Sequence, residues 1–192
     1  MMKVALLLGS IRLGRQTHKI AYYLENKLKE RGLETIMIDL LYYQLPLMEE
    51  QAGRHPDLPP VVAQVGQKLK EADALLLITP EYHGTFSGVL KNAIDYYRAE
   101  LSKKPIGVVT ATGGKMGGIN ASSQLQHVIL SMGSYPLPLK LLVPDVQHSF
   151  DEDFNPLNES VVKTSDKFLD EFLWFAGAIF NAKLQSGKKE LV

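Results

Sequence analysis

Short apolar runs alternate along this chain with longer stretches carrying apolar residues every third or fourth position, and that alternation restricts the fold more than any other feature. Val4 to Leu8 and Ala74 to Ile78 are unbroken apolar runs, the pattern of strands covered on both faces. Thr35 to Leu40 is β-branched and apolar, Pro105 to Ala111 reads as a fourth strand, and Tyr135 to Val143 as a fifth, interrupted by Pro136 and Pro138. Between them lie helical stretches. One starts near Thr17, with Ile20, Ala21, Leu24 and Leu28 on one face and Gly32 as its stop. Val61 to Ala72 turns Val62, Val65 and Leu69 inward. Phe86 to about Leu101 and Gly118 to Met132 follow, and a last helix opens with Asn155 as cap and Pro156 at its first position. Leu41 to Pro60 is irregular and long for a loop, so it is either functional or a surface flap. Val146 to Asn155 reads as polar connection, and the tail from Lys183 as polar and frayed.

Five strands alternating with five helices predict an α/β fold: a three-layer, doubly wound, five-stranded parallel sheet in the order 2-1-3-4-5. The 192 residues predict one domain over 1–192. In such sheets ligands bind outside the carboxyl ends of the strands, at the switch point. That order makes strands one, three and four neighbours, so the loops that follow them line one crevice.

Bulk properties remove several classes of function. Basic and acidic side chains number 21 each, so no charge surplus suits nucleic acid or an anionic membrane. There is no cysteine, which excludes disulfides, iron–sulfur clusters and thiolate nucleophiles and fits a reducing compartment. The first apolar run is too short for a signal-peptide core, and nothing approaches the roughly 20 apolar residues of a spanning helix. A soluble, cytoplasmic protein is expected.

Chemistry concentrates in the three loops. Gly9 to Thr17 leaves a strand and enters a helix, where free N–H groups and the positive end of the helix dipole favour a phosphate. Ser10 and Thr17 offer hydroxyls there, and Arg12 and Arg15 offer guanidinium forks. The loop matches G-x-x-x-x-G, but Arg15-Gln16 follows instead of Lys-Ser/Thr, so nothing is placed to hold Mg²⁺ for nucleotide hydrolysis. Thr79 to Gly84 ends the third strand with Pro80, which has no N–H, and Gly84, which tolerates φ > 0. Ala111 to Gly118 places Gly113, Gly114, Gly117 and Gly118 where a flat ring can approach the backbone. Together the loops suit one planar, phosphate-bearing cofactor. The five histidines lie at no metal-ligand spacing, and no G-x-S-x-G elbow is present. Glu49-Glu50 and Asp151-Glu152-Asp153 read as solvated, and the tyrosine pairs 22–23, 42–43 and 96–97 as packing at the core edge.

Gly-Ser-x-Arg after strand one, Pro80-Glu81-Tyr82-x-Gly84-x-x-x-Gly88-x-x-Lys91-Asn92-x-x-Asp95 after strand three, and a Gly-Gly loop after strand four resemble the NADPH-dependent FMN reductase family. The resemblance runs from Lys3 to about Phe180. It implies a flavodoxin-like fold, bound FMN, NADPH or NADH as reductant, and a small acceptor such as a flavin, quinone, azo compound or metal oxyanion. It also implies that Ser10, Arg12 and Thr17, with Arg15 beside them, take the FMN phosphate. Pro80, Glu81, Tyr82, His83, Gly84, Gly113 and Gly114 then border the isoalloxazine. Many members carry Ser and Asn where this chain has Arg15 and Thr17, and Asn where it has His83; a backbone contact to the flavin survives the last change. No side chain is expected to be an essential acid, base or nucleophile, since the cofactor carries that chemistry. The alternative is a flavodoxin-type electron carrier without its own NAD(P)H activity, and a third is an interaction module that has lost its flavin. A homodimer or homotetramer is expected, partly from the family and partly from apolar residues on the third and fourth helices, Phe86, Tyr96, Tyr97, Leu125 and Met132.

Overall fold

In the computed structural model, which describes residues 1–187, the elements in chain order are β1 (Lys3–Leu8), α1 (Thr17–Glu30), β2 (Glu34–Asp39), α2 (Pro60–Glu71), β3 (Ala74–Thr79), β4 (Glu81–Tyr82), β5 (Thr85–Phe86), α3 (Gly88–Tyr96), α4 (Arg98–Leu101), β6 (Pro105–Ala111), α5 (Ile119–Ser131), β7 (Tyr135–Val143), α6 (Val146–Ser149) and α7 (Glu159–Gln185). The main sheet has five strands in the order β2-β1-β3-β6-β7, every pairing parallel. Counted without the β4–β5 hairpin, that is 2-1-3-4-5. Successive strand residues face opposite layers. Val4, Leu6 and Leu8 enter one core with α1 and α7, while Ala5 and Leu7 enter the other with α2, α3 and α5. Gly107 on β6 makes the first core close: a Cβ there would lie 2.8 Å from Leu76 Cδ2 and 2.9 Å from Phe168 Cζ.

Several elements differ from the sequence expectation, and local competition explains each. The helix expected from Phe86 to Leu101 is divided. Thr85–Phe86 pairs with Glu81–Tyr82 as a hairpin, and α3 begins only after Ser87, whose Oγ accepts from Leu90 N–H at 3.3 Å. The chain then breaks at Tyr97, whose buried hydroxyl donates to the Val62 carbonyl at 3.0 Å. The last helix is capped by Asn158, Oδ1 of which accepts from Val161 N–H at 2.8 Å, not by Asn155. Asn155 and its side chain instead donate to the Asp151 carboxylate, and Pro156 bridges to Phe150. α7 continues past Lys183 to Gln185, so the chain is helical where a frayed tail was expected to begin; residues 188–192 lie outside the described residues.

The 41–60 segment is a strap over the second core, where Leu45, Met48, Ala52 and Leu58 pack. Asn92 holds it from α3, its Nδ2 donating to the Pro46 carbonyl (2.8 Å) and its Oδ1 accepting from Met48 N–H (2.9 Å). Phe86, Tyr96, Tyr97, Leu125 and Met132 are all buried in this same core. They offer little exposed surface, Phe86 reaching it only at an edge, which corrects one of the grounds for expecting a dimer.

Candidate functional site

β1, β3 and β6 are neighbours, so the loops after them meet at the carboxyl edge of the sheet around a cleft of about 150 Å³. Of the site residues expected from sequence, Ser10, Arg12, Arg15, Thr17, Pro80, Glu81, Tyr82 and Gly113 line it. His83, Gly84 and Gly114 do not border this cleft. Gln16, Ala111, Thr112, Val146 and Gln147 do, and sequence reasoning did not single them out.

The first loop carries unused donors. Ser10 and Thr17 are almost wholly buried as residues, yet neither hydroxyl has a hydrogen-bond partner among the described residues. Gln16 precedes α1 without a side-chain capping bond, leaving amides of the first turn open. Arg12 has no carboxylate partner among the described residues; its guanidinium lies 5.8 Å from the Tyr82 ring centroid, within cation–π range. Arg15 differs. NH1 donates to Asp39 Oδ1 and NH2 to Asp39 Oδ2, both at 2.6 Å, and NH1 also donates to the Ser10 carbonyl at 2.7 Å. Burial opposes its charge, but the Asp39 carboxylate outweighs that and raises the pKa of Arg15, so it stays a cation.

The second loop is a two-residue hairpin. Tyr82 pairs with Thr85, and His83 and Gly84 between them have φ of 51° and 79°. Two consecutive positive φ values at the tip are the type I′ arrangement, for which Asn-Gly is the favoured dipeptide. The loop is tied to α5: the Glu81 carboxylate accepts from Ala121 N–H (3.0 Å) and Asn120 Nδ2 (3.3 Å), and Gln124 Nε2 donates to the Gly84 carbonyl (2.8 Å). Glu81 thus caps a helix whose preceding residue is Gly118, which has no side chain to do so. Ser87 fastens this loop to the first by donating to the Gly9 carbonyl at 2.5 Å. A Cβ on Gly9 would meet Leu90 Cβ at 2.6 Å, so the close approach of α3 requires glycine there.

In the third loop, Gly117 and Gly118 have positive φ and turn the chain into α5, and Thr110 Oγ1 donates to the Gly117 carbonyl at 2.6 Å. Gly113 is pressed by Gln147, whose Oε1 would lie 2.7 Å from a Cβ at that position. Val146 and Gln147 arrive on α6, inside a stretch expected to be polar connection; Val146 and Ser149 are buried. No motif marks this segment, and only the fold carries it to the cleft. The assembled cleft is lined by two hydroxyls and a guanidinium without a carboxylate partner among the described residues, and by a tyrosine ring and glycine backbone. Such a site suits an anion joined to a flat group.

The sequence profile of the NADPH-dependent FMN reductase family matches residues 2–148. Among characterised proteins, the FMN-dependent NADPH-azoreductase of Staphylococcus haemolyticus (strain JCSC1435) is 31% identical over 170 residues, covering 86% of each chain. That of Staphylococcus aureus (strain USA300) is 30% identical over 184 residues, covering 91% of this chain and 95% of its own. Among solved structures, the flavoenzyme NAD(P)H:(acceptor) oxidoreductase FerB from Paracoccus denitrificans superposes with a TM-score of 0.80 at 24% identity, over 93% of this chain and 98% of that one.

Proposed function

The chain belongs to the NADPH-dependent FMN reductase family, and from that premise we propose that it passes reducing equivalents from NAD(P)H through FMN to a small acceptor of the flavin, quinone, azo or metal-oxyanion class. The observation that carries this for the chain's own site is the set of unused donors: Ser10 and Thr17 hydroxyls without partners, open amides at the start of α1, and Arg12 without a carboxylate. These donors have no hydrogen-bond partner among the described residues and face the cleft, and a phosphate dianion satisfies all of them at once. The residues therefore fit FMN. Ser10, Thr17 and Arg12 hold its phosphate, while Pro80, Tyr82 and the backbone at Gly113 border the ring. Glu81 lines the cleft while its carboxylate holds α5, and His83, Gly84 and Gly114 support the border from outside the cleft. When bound, FMN supplies the hydride acceptor and the electron store.

The side chains of this chain bind and orient. Glu81 is engaged at the start of α5 and His83 forms a turn, so neither serves as an acid or base in this reading. The cleft is smaller than the roughly 300–1,000 Å³ of common ligand sites, which suits the phosphate end of FMN and leaves the ring on an open rim. An open rim accepts acceptors of many shapes, and the azoreductase names of the staphylococcal relatives favour an azo compound among them. It also calls for a second copy of the chain to cover it. A groove of about 680 Å³ between the hairpin, α3 and α5, lined by Phe86, Lys91, Gln124, His127 and Val128, is the face that a homodimer would use. We take the chain as one cytoplasmic FMN-binding domain; no helix among the described residues is long and apolar enough to cross a membrane.

Titration of the apoprotein with FMN, followed by NADPH oxidation in the presence of a quinone or an azo dye, tests this reading. FMN binding with NADPH consumption is the expected result; FMN binding without it identifies an electron carrier. Arg12→Ala should weaken FMN by roughly 10- to 100-fold, since a charge-assisted contact contributes about 1.5–3 kcal/mol. Unchanged affinity moves the phosphate elsewhere.

A further inference from the structure

The geometry points to Arg15 and Asp39 as a positioning pair that holds the phosphate loop in shape, with Arg15 making no contact to the phosphate itself. This rests on the reading of Gly9 to Thr17 as that loop. Two arginines enter the loop, and their surroundings separate them. Arg12 is exposed at the cleft, over the Tyr82 ring and without a carboxylate partner among the described residues. The Arg15 side chain is 10% exposed and forks onto an Asp39 side chain that is 3% exposed. Both carboxylate oxygens receive a guanidinium N–H, and Asp39 Oδ1 also accepts from Leu41 N–H at 3.0 Å. A guanidinium so matched is neutralised locally and held in one direction. It has no reason to turn to an anion that Arg12 and the helix start already attract.

The pair sets the loop's geometry. Asp39 ends β2, next to β1, and is anchored by the sheet. From that fixed point Arg15 reaches back and binds the Ser10 carbonyl at 2.7 Å. The carbonyl and the following N–H of a trans peptide point in opposite directions. Holding the Ser10 carbonyl against Arg15 therefore directs the Ile11 amide to the other side, and it fixes a residue that lines the cleft with a hydroxyl that has no partner among the described residues. The same carboxylate binds the first residue of the 41–60 strap, so the end of β2, the strap and the phosphate loop move as one unit. A loop prepared in this way loses less conformational freedom when its anion arrives.

The experiment compares FMN with riboflavin, which lacks the phosphate, by fluorescence titration of apoprotein variants whose melting temperatures are also recorded. Arg15→Ala and Asp39→Asn should each weaken FMN about tenfold through lost preorganisation and leave riboflavin binding unchanged. The double variant should be no worse than either single one, because one unit has been removed once. Arg15→Lys keeps the charge opposite Asp39 and so keeps the fold, but one ammonium cannot hold both the carboxylate and the Ser10 carbonyl; it should weaken FMN severalfold with riboflavin unaffected. A direct phosphate contact gives the opposite result for Asp39→Asn: the freed Arg15 leaves FMN affinity unchanged or improves it. That outcome, or wild-type FMN affinity in Arg15→Lys, overturns the proposal. Arg12→Ala separates the two levels of inference. If it weakens FMN but not riboflavin, the loop holds the phosphate and the results at Arg15 and Asp39 judge the pair alone; if it changes neither, the loop reading and the pair fall together.

Discussion

His83 takes a turn position at which the resemblance to the family leads one to expect Asn. It sits at the first tip position of the β4–β5 hairpin with φ of 51°, followed by Gly84 at 79°. L-residues occupy this left-handed region at a cost, and Asn, Asp and His tolerate it better than others. Asn-Gly is the favoured pair for such a turn, and His is tolerated at its first position. His83→Asn should therefore raise stability by a few tenths of a kcal/mol, whereas His83→Val should lower it by about 1–2 kcal/mol, the cost of placing a side chain in that region. Chemical denaturation of the two variants measures the difference. A His83→Asn protein that lost most of its NADPH oxidation while keeping FMN would contradict a purely conformational role and require the imidazole in the reaction. The two arginines of the first loop teach a related lesson. By residue type they are equal candidates for a phosphate, and only the presence of Asp39 beside one of them separates their surroundings.

At the scale of elements, side chains of one loop complete the helices of another. α5 starts after two glycines, and its first amides are capped from a distance by Glu81 of the hairpin. That contact couples the ring-bordering loop to a core helix through a negative charge at a positive helix end. Glu81→Ala should cost about 1 kcal/mol, and Glu81→Gln, which keeps an acceptor without the charge, less than that. If Glu81 only caps α5, flavin reduction by NADPH in stopped flow will change by modest factors in both variants. A loss near 10⁴-fold with FMN still bound, the upper range for general acid–base catalysis, would make Glu81 a proton donor. The bounds of α2 and α5 and the start of α1 were legible in the sequence to about a residue, from apolar periodicity and without a side-chain cap. Near α7 both Asn155 and Asn158 are candidate caps, and the Asp151 turn that engages Asn155 decides between them.

At the scale of the whole molecule, a small cleft with an open rim leaves the proposed cofactor site incomplete in one chain. The apolar groove beside it, flanked by Lys91 and His127, is continuous with the hairpin that borders the cleft. Light scattering at micromolar concentration should give roughly twice the chain mass of 21.4 kDa, or four times if dimers pair. A Val128→Glu substitution in this groove should shift the population toward monomer and weaken FMN in step, because a charge is poorly tolerated in an apolar interface core. A monomeric wild-type protein that binds FMN fully would remove the second copy from the site.

The sequence by itself determined the layers, the strand order and the three loops, because strand and helix periods are local signals and because parallel crossovers leave few topologies open. It also placed a helix start and two hydroxyls within nine residues at the first loop, the basis for proposing a phosphate there. Only the tertiary structure decided which of those residues are free. Arg15 is matched by a carboxylate 24 positions away, Glu81 by a helix start 40 positions away, and Gln147 reaches Gly113 from an element with no motif. Partner choice across such distances depends on how the sheet places its edges, and no window of local sequence contains that information.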